Sequence, residues 1–227
     1  MSKYKPRPVD QMLLCKLKGK GAVLIKGSKW CGKTTTAEQV AKSILYMDNP
    51  STEKQNLMLA DIDPERLLEG ETSRLIDEWQ LAPKLWDTIR FVVDHRGGLG
   101  QFVLTGSAVP IDTSQSHHTG TGRFSWLLMR PMSLYESGES AGEVSVTELF
   151  HSSEKITGTG GMGLDQLAFL LCRGGWPQAV DMETEIALSQ ATDYYDAVVH
   201  SDINRADGVN KNPERRHQSR VYAGISA

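Results

Sequence analysis

Short apolar runs, separated by amphipathic segments and glycine-rich turns, recur along the first 130 residues of the chain. A continuous apolar run bounded by turn residues predicts a strand that is buried on both faces, because such a strand has no polar side. Strands are therefore predicted at 22–25, 74–78, 101–107 and 124–129, with weaker ones at 44–47 and 57–60.

Apolar residues at helical spacing predict the elements between these strands. Asp10 is the predicted N-cap of the first helix, and Pro83 stands in the first turn of the clearest one. Strands that alternate with helices predict an α/β fold with a parallel sheet and helices on both faces. Helices are predicted at 10–18, 36–45 and 83–96, and a helical turn at 64–69.

The composition changes after the last predicted strand. Residues 153–163 are rich in Ser, Thr and Gly and predict a linker. Two helices, at 164–172 and about 183–203, follow it without any strand pattern, so we expect an α/β domain at 1–152 and a small helical region at 164–213. The tail at 214–227 is polar and has no apolar period, which predicts disorder.

A phosphate-binding motif joins the first predicted strand to the next predicted helix. Gly27, Gly32, Lys33 and Thr34 match G-x-x-x-x-G-K-[ST] in full. The glycines allow main-chain N–H groups to approach a phosphate, the lysine neutralises the β- and γ-phosphates, and the threonine hydroxyl binds Mg²⁺. The motif predicts a P-loop NTPase that binds ATP with Mg²⁺. The alternative is a glycine-rich turn with an accidental Lys-Thr pair.

The other positions of the loop contribute mainly main-chain N–H groups. Lys29 and Trp30 are therefore expected on the outer rim, although Lys29 as a second contact to the γ-phosphate stays open. Cys31 is interpreted as a small neutral residue, and a redox-active thiol is the alternative. The predicted nucleotide-binding residues are Gly27, Ser28, Lys29, Trp30, Cys31, Gly32, Lys33, Thr34 and Thr35.

Two acidic residues end the predicted strand at 74–78. Asp77 is the predicted Mg²⁺ ligand, through water, together with Thr34, and Glu78 is the predicted base that polarises the attacking water. Acids that merely cap a strand are the alternative. The strand at 101–107 ends in L-T-G-S, where Ser107 or Thr105 would orient the water; a hydroxyl that closes a turn is the competing interpretation.

Arginines follow the long polar loop at 111–122. Arginine stabilises the charge that develops on a transferred phosphoryl group. Arg123, on a glycine-rich approach, is the predicted catalytic arginine and would reach its own nucleotide or that of a neighbouring chain; Arg130 follows it without an assigned role. An ordinary surface arginine is the alternative.

Six motifs occur in order along the chain: G-S-K-W-C-G-K-T, R-L-I-D-E-W-Q, V-L-T-G-S-A, G-T-G-R, M-R-P-M-S-L and R-G-G-W-P. With them the chain resembles prokaryotic ATP-binding proteins of the AAA superfamily that carry a C-terminal domain of unknown function. The resemblance implies ATP binding and an extra strand, here the one at 101–107, between the phosphate-loop strand and the acidic strand. It leaves the substrate undetermined.

The resemblance fades after about residue 215, whereas such proteins continue into a further domain. We therefore expect the chain to be shortened before that domain, by a frameshift near 214–216; a naturally short variant is the alternative.

Composition limits the partners and the location. A net charge of −3 does not favour a polyanion, and nucleic-acid binding stays undetermined. No signal peptide or membrane segment is recognisable, which predicts a cytoplasmic protein. The expected function is Mg²⁺-dependent ATP hydrolysis, with a homo-oligomer or another protein as partner. The alternative is a non-catalytic, nucleotide-dependent regulatory or interaction module.

Overall fold

The computed structural model describes residues 4–106, 122–151, 158 and 160–197. The chain divides into two units, Met1–Gly158 and Thr159–Ala227. This division falls inside the predicted linker, while the exact predicted domain boundaries stay predictions. The predicted loop at 111–122, except its last residue, and the predicted tail at 214–227 lie outside the described residues.

A five-stranded, all-parallel sheet organises the first unit. Its order is β2-β3-β4-β1-β5, so β4 lies between β1 and β3, as the resemblance implied. The α/β fold of a P-loop NTPase, a parallel sheet flanked by helices, is confirmed. The strands are β1 (Ala22–Gly27), β2 (Ser43–Tyr46), β3 (Arg74–Asp77), β4 (Phe102–Thr105) and β5 (Phe124–Met129).

Helices cover the sheet. The main core joins alternate residues of the central strands to α3, α4 and α5, and includes Trp86 and Ile89. From β1 to β2 the chain crosses the sheet in one direction, and the later connections between strands cross it in the other. Because such connections are right-handed, α2 lies on the face of the sheet opposite to α3, α4 and α5. The helices of the first unit are α1 (Pro8–Gly19), α2 (Lys33–Glu38), α3 (Glu53–Ile62), α4 (Pro64–Leu67), α5 (Lys84–Arg96), α6 (Leu134–Ser137) and α7 (Val146–His151).

Most predicted elements are confirmed, and the predicted strand at 57–60 is wrong. That apolar run lies in α3, where Asn56 and Ala60, four residues apart, are buried and Met58 is 62% exposed. Burial thus follows helical spacing, which a run of four apolar residues could not distinguish from that of a strand.

Two helix predictions need correction at their ends. The helix predicted at 36–45 ends at Glu38, because residues 43–46 pair with β3 instead. Asp10 is not the N-cap of α1. The N-cap is Arg7, and the Asp10 carboxylate accepts a hydrogen bond from its backbone N–H at 2.7 Å.

The second unit is helical in its described part. It contains α8 (Leu164–Arg173), α9 (Pro177–Val180) and α10 (Thr184–Ala197). The rings of Trp176 and Tyr194 pack with centroids 4.1 Å apart, joining the G-G-W-P turn to α10. No helix within the described ranges of either unit is long and apolar enough to cross a membrane.

Candidate functional site

The loop between β1 and α2 requires glycine at two positions. A Cβ atom on Gly27 would lie 2.1 Å from the carbonyl oxygen of Met129, because β5 approaches the end of β1 closely. Gly32, the N-cap of α2, has φ +95°, a left-handed conformation that strains other residues. Trp30 also has a left-handed backbone conformation, with φ +62°, and is 48% exposed. Packing and backbone shape together therefore account for the motif glycines.

Lys33 is buried and folded back onto the loop. Its Nζ donates to the carbonyl oxygen of Gly27 at 3.1 Å and to that of Ser28 at 2.8 Å. The buried Ser28 hydroxyl has no hydrogen-bond partner in the described part of the chain. A buried polar group of this kind usually has a partner, so the loop suits an additional polar ligand.

The carboxyl ends of β3 and β4 meet the first turn of α2, where an acid and two hydroxyls come together. Thr34 Oγ1 donates to Asp77 Oδ1 at 3.0 Å, although the residues are 43 positions apart in sequence. Thr105, fully buried at the end of β4, donates to the same oxygen. Hydroxyl and carboxylate oxygens are the donors that Mg²⁺ prefers, so the residues present fit this ion.

Glu78 follows β3 in a left-handed backbone conformation, with φ +53°. Burial raises its pKa above the ordinary value, while a hydrogen bond from Gln80 opposes that shift. The neighbouring carboxylates of Asp77 and Asp48 raise the pKa further. The positive charge of Lys33 has the opposite effect and lowers the pKa of Glu78. A carboxylate with a raised pKa accepts a proton more readily.

The remaining loop residues differ in exposure. Cys31 is completely buried, with Sγ 3.8 Å from the Met129 carbonyl oxygen, as suits a small residue that packs. Lys29 and Ser28 are partly buried, and Thr35 is exposed on α2. The exposed Trp30 side chain agrees with the predicted outer rim.

Comparisons with known proteins now identify the family. The model of a family described as "AAA domain" matches residues 19–138, more than half of the chain. The chain belongs to the AAA domain family. No curated protein sequence matches it significantly.

Solved structures resemble this AAA domain protein at low identity. One is a Signal Transduction ATPase with Numerous Domains from Pyrococcus horikoshii that has a tetratricopeptide repeat sensor (14% identity, TM-score 0.43). Another is C. elegans PCH-2 (15% identity, TM-score 0.33). The alignments cover 99% and 95% of this chain but only 40% and 65% of those proteins.

Arg123 precedes β5 at the amino end of the parallel strands. The phosphate loop of the AAA domain lies at their carboxyl end. Its carbonyl oxygen accepts a hydrogen bond from Ala22, the first residue of β1, at 3.2 Å, and its side chain pairs with Asp94. The loop follows the other end of β1, about 17 Å away at the usual rise of a strand. This corrects the expectation that Arg123 reaches the nucleotide of its own chain; a role at a neighbouring chain stays a prediction.

Ser107, the other predicted catalytic residue beside Glu78, lies outside the described residues.

The arginine that follows β5 is nearer to the loop. Gly27 pairs with Met129 at the carboxyl end of the sheet, and exposed Arg130 comes next in the chain. Its sequence context alone predicted no role for this residue.

A buried arginine that no sequence motif indicates, Arg7, braces the phosphate loop. Arg7 Nη1 donates to the carbonyl oxygen of Cys31 at 2.8 Å, and Nη2 donates to that of Arg130 at 2.9 Å. Its Nε pairs with Glu136 Oε1 at 2.7 Å. Burial acts to raise the pKa of Glu136, but hydrogen bonds from Arg7 and from Ser133 outweigh it and hold the pKa below its usual value.

The same N-terminal segment also contacts α2. The Tyr4 hydroxyl donates to Asp10 Oδ1 at 2.6 Å and lies 3.1 Å from Thr36 Oγ1. Burial, followed by the bond to Asp10, raises the pKa of Tyr4 to about 12. No local pattern in K-P-R-P indicates these partners, because they are distant in sequence.

We expect Arg7→Lys to lower the free energy of unfolding of the AAA domain by about 1–2 kcal/mol, since lysine keeps the charge but cannot reproduce three hydrogen bonds in a fork. Urea unfolding measures the change. Arg66→Lys, at an exposed position on α4, is the matched control. Equal stabilities of the two variants would contradict the bracing role.

Proposed function

We propose that this AAA domain binds ATP together with Mg²⁺ and hydrolyses it to ADP and phosphate. The observation that carries the proposal is the 3.0 Å contact between the Thr34 hydroxyl and the Asp77 carboxylate. It joins the phosphate loop to the acidic strand at one point, as Mg²⁺-nucleotide binding requires.

Each residue of the site has a proposed task. Main-chain N–H groups of 27–35 surround the phosphates, and the Lys33 ammonium leaves the loop carbonyls to contact the β- and γ-phosphates. Thr34 and Asp77 would hold Mg²⁺, Asp77 through water. When bound, the ion supplies positive charge that neutralises the phosphate oxygens.

The position of Glu78 beside Asp77 supports the hydrolytic part of the proposal. The oxygen of water bonds to the γ-phosphorus while Glu78 accepts a proton from that water. The bond from the γ-phosphorus to the bridging oxygen breaks, and ADP departs with that oxygen. Thr105 or Ser107 orients the water in this proposal, and Arg123 acts only on the nucleotide of a neighbouring copy in a homo-oligomer.

Release of inorganic phosphate by the purified chain tests the proposal. We expect turnover with ATP and MgCl₂ that EDTA abolishes. Binding of ATP without turnover would contradict hydrolysis and favour a non-catalytic, nucleotide-dependent regulatory or interaction module. Failure to bind ATP would contradict both functions.

A further inference from the structure

Gln80 lies within hydrogen-bond reach of the proposed base. Glu78 and Gln80 belong to a tight turn in which the backbone N–H of Leu81 donates to the carbonyl oxygen of Glu78 at 3.0 Å. The left-handed conformation of Glu78 starts this turn and brings the two side chains together. Within it, Gln80 Nε2 donates to Glu78 Oε2.

A glycine at the end of β4 makes room for the Gln80 carboxamide. A Cβ atom on Gly106 would lie 2.0 Å from Gln80 Oε1 and 2.9 Å from Gln80 Cδ. The same atom would meet Trp79 Cδ1 only at 3.4 Å, an ordinary contact. Gly106 thus leaves space for the amide of Gln80. It lies one residue after Thr105, whose hydroxyl donates a hydrogen bond to Asp77.

We propose that Gln80 is a positioning residue that orients the Glu78 carboxylate toward the attacking water, an inference that rests on the proposed ATP hydrolysis. A carboxylate held through one oxygen presents the other in a defined direction, and small errors of orientation reduce catalysis strongly. An amide suits this task because its N–H₂ group donates to the carboxylate while the amide takes up no proton near neutral pH. The absence of a side chain at Gly106 leaves the space that this amide occupies.

Gln80→Ala tests the role through steady-state kinetics. We expect kcat to fall by about tenfold while KM and the dissociation constant of ATP change by less than about twofold, because the phosphate loop is untouched. Gln80→Asn, which is one methylene shorter, should behave like Gln80→Ala. Gln55→Ala, at an exposed position on α3, is the matched control and should leave kcat unchanged.

Two double variants separate positioning from a merely structural role. Gly106→Ala should lower kcat in the parent, because the new methyl group displaces the Gln80 carboxamide. The same change should lower kcat little further in the Gln80→Ala variant, which has no carboxamide to displace. Gln80→Ala should likewise add little to Glu78→Gln, because Gln80 acts through that carboxylate. Additive losses in these two backgrounds would overturn the proposal.

The outcomes distinguish this inference from the function it rests on. A parent that hydrolyses ATP, with a Gln80→Ala variant whose kcat lies within twofold of it, would overturn the role of Gln80 alone. A parent without turnover overturns hydrolysis and the positioning role together. Parallel changes of KM and kcat in Gln80→Ala would indicate a damaged nucleotide site and also contradict positioning.

Discussion

Glu78→Gln is expected to lower ATP turnover by about two or more orders of magnitude, since glutamine keeps the shape of the side chain but accepts no proton. ATP should bind as before, because Lys33 and Thr34 are unchanged. Phosphate release under saturating ATP and Mg²⁺ gives the turnover, and calorimetry gives the affinity.

Glu71→Gln is the matched control for this change, since Glu71 is exposed and lies outside the helices and strands. It should turn over ATP like the parent. A Glu78→Gln variant with unchanged turnover would remove Glu78 from the mechanism while leaving nucleotide binding in place.

Lys33→Ala is expected to weaken ATP binding by about fivefold to about 150-fold, equal to roughly 1–3 kcal/mol for a charge-assisted contact. The ammonium is held by the Gly27 and Ser28 carbonyl oxygens, at the place where phosphates would bind. Titration with ATP in the presence of Mg²⁺ measures the loss.

The exposed Lys54, on α3, provides the control Lys54→Ala, which should bind ATP like the parent. A thermal melt of the apoprotein shows whether Lys33→Ala disturbs the loop itself. Unchanged ATP affinity in a folded Lys33→Ala variant would show that the loop does not bind phosphates.

Predictions succeeded where local pattern and tertiary structure require the same conformation. β5 has its predicted bounds, 124–129, and α5 differs from its prediction by one residue at the start. The prediction for 57–60 failed because a short apolar run suits a strand and a buried helix equally. The prediction for 36–45 failed because pairing of β2 with β3 outweighed the helical pattern.

The prokaryotic origin, the C-terminal domain of unknown function and the cytoplasmic location stay predictions from the resemblance and the composition. The catalytic and metal-binding roles of single residues stay proposals, although the structure brings Thr34, Asp77 and Thr105 into contact.

The phosphate loop, the buried strands and the class of fold could be predicted from the amino-acid sequence, because they depend on the spacing of residues close together in the chain. Which distant residues meet at the loop depends instead on the tertiary structure. The order β3-β4-β1-β5 brings Thr105 to Asp77 and Gly106 to Gln80. The parallel pairing of β5 with β1 places Arg123 at the amino end of the strands, away from the phosphate loop. Such contacts depend on how strands pair and helices cover them, which no local pattern encodes.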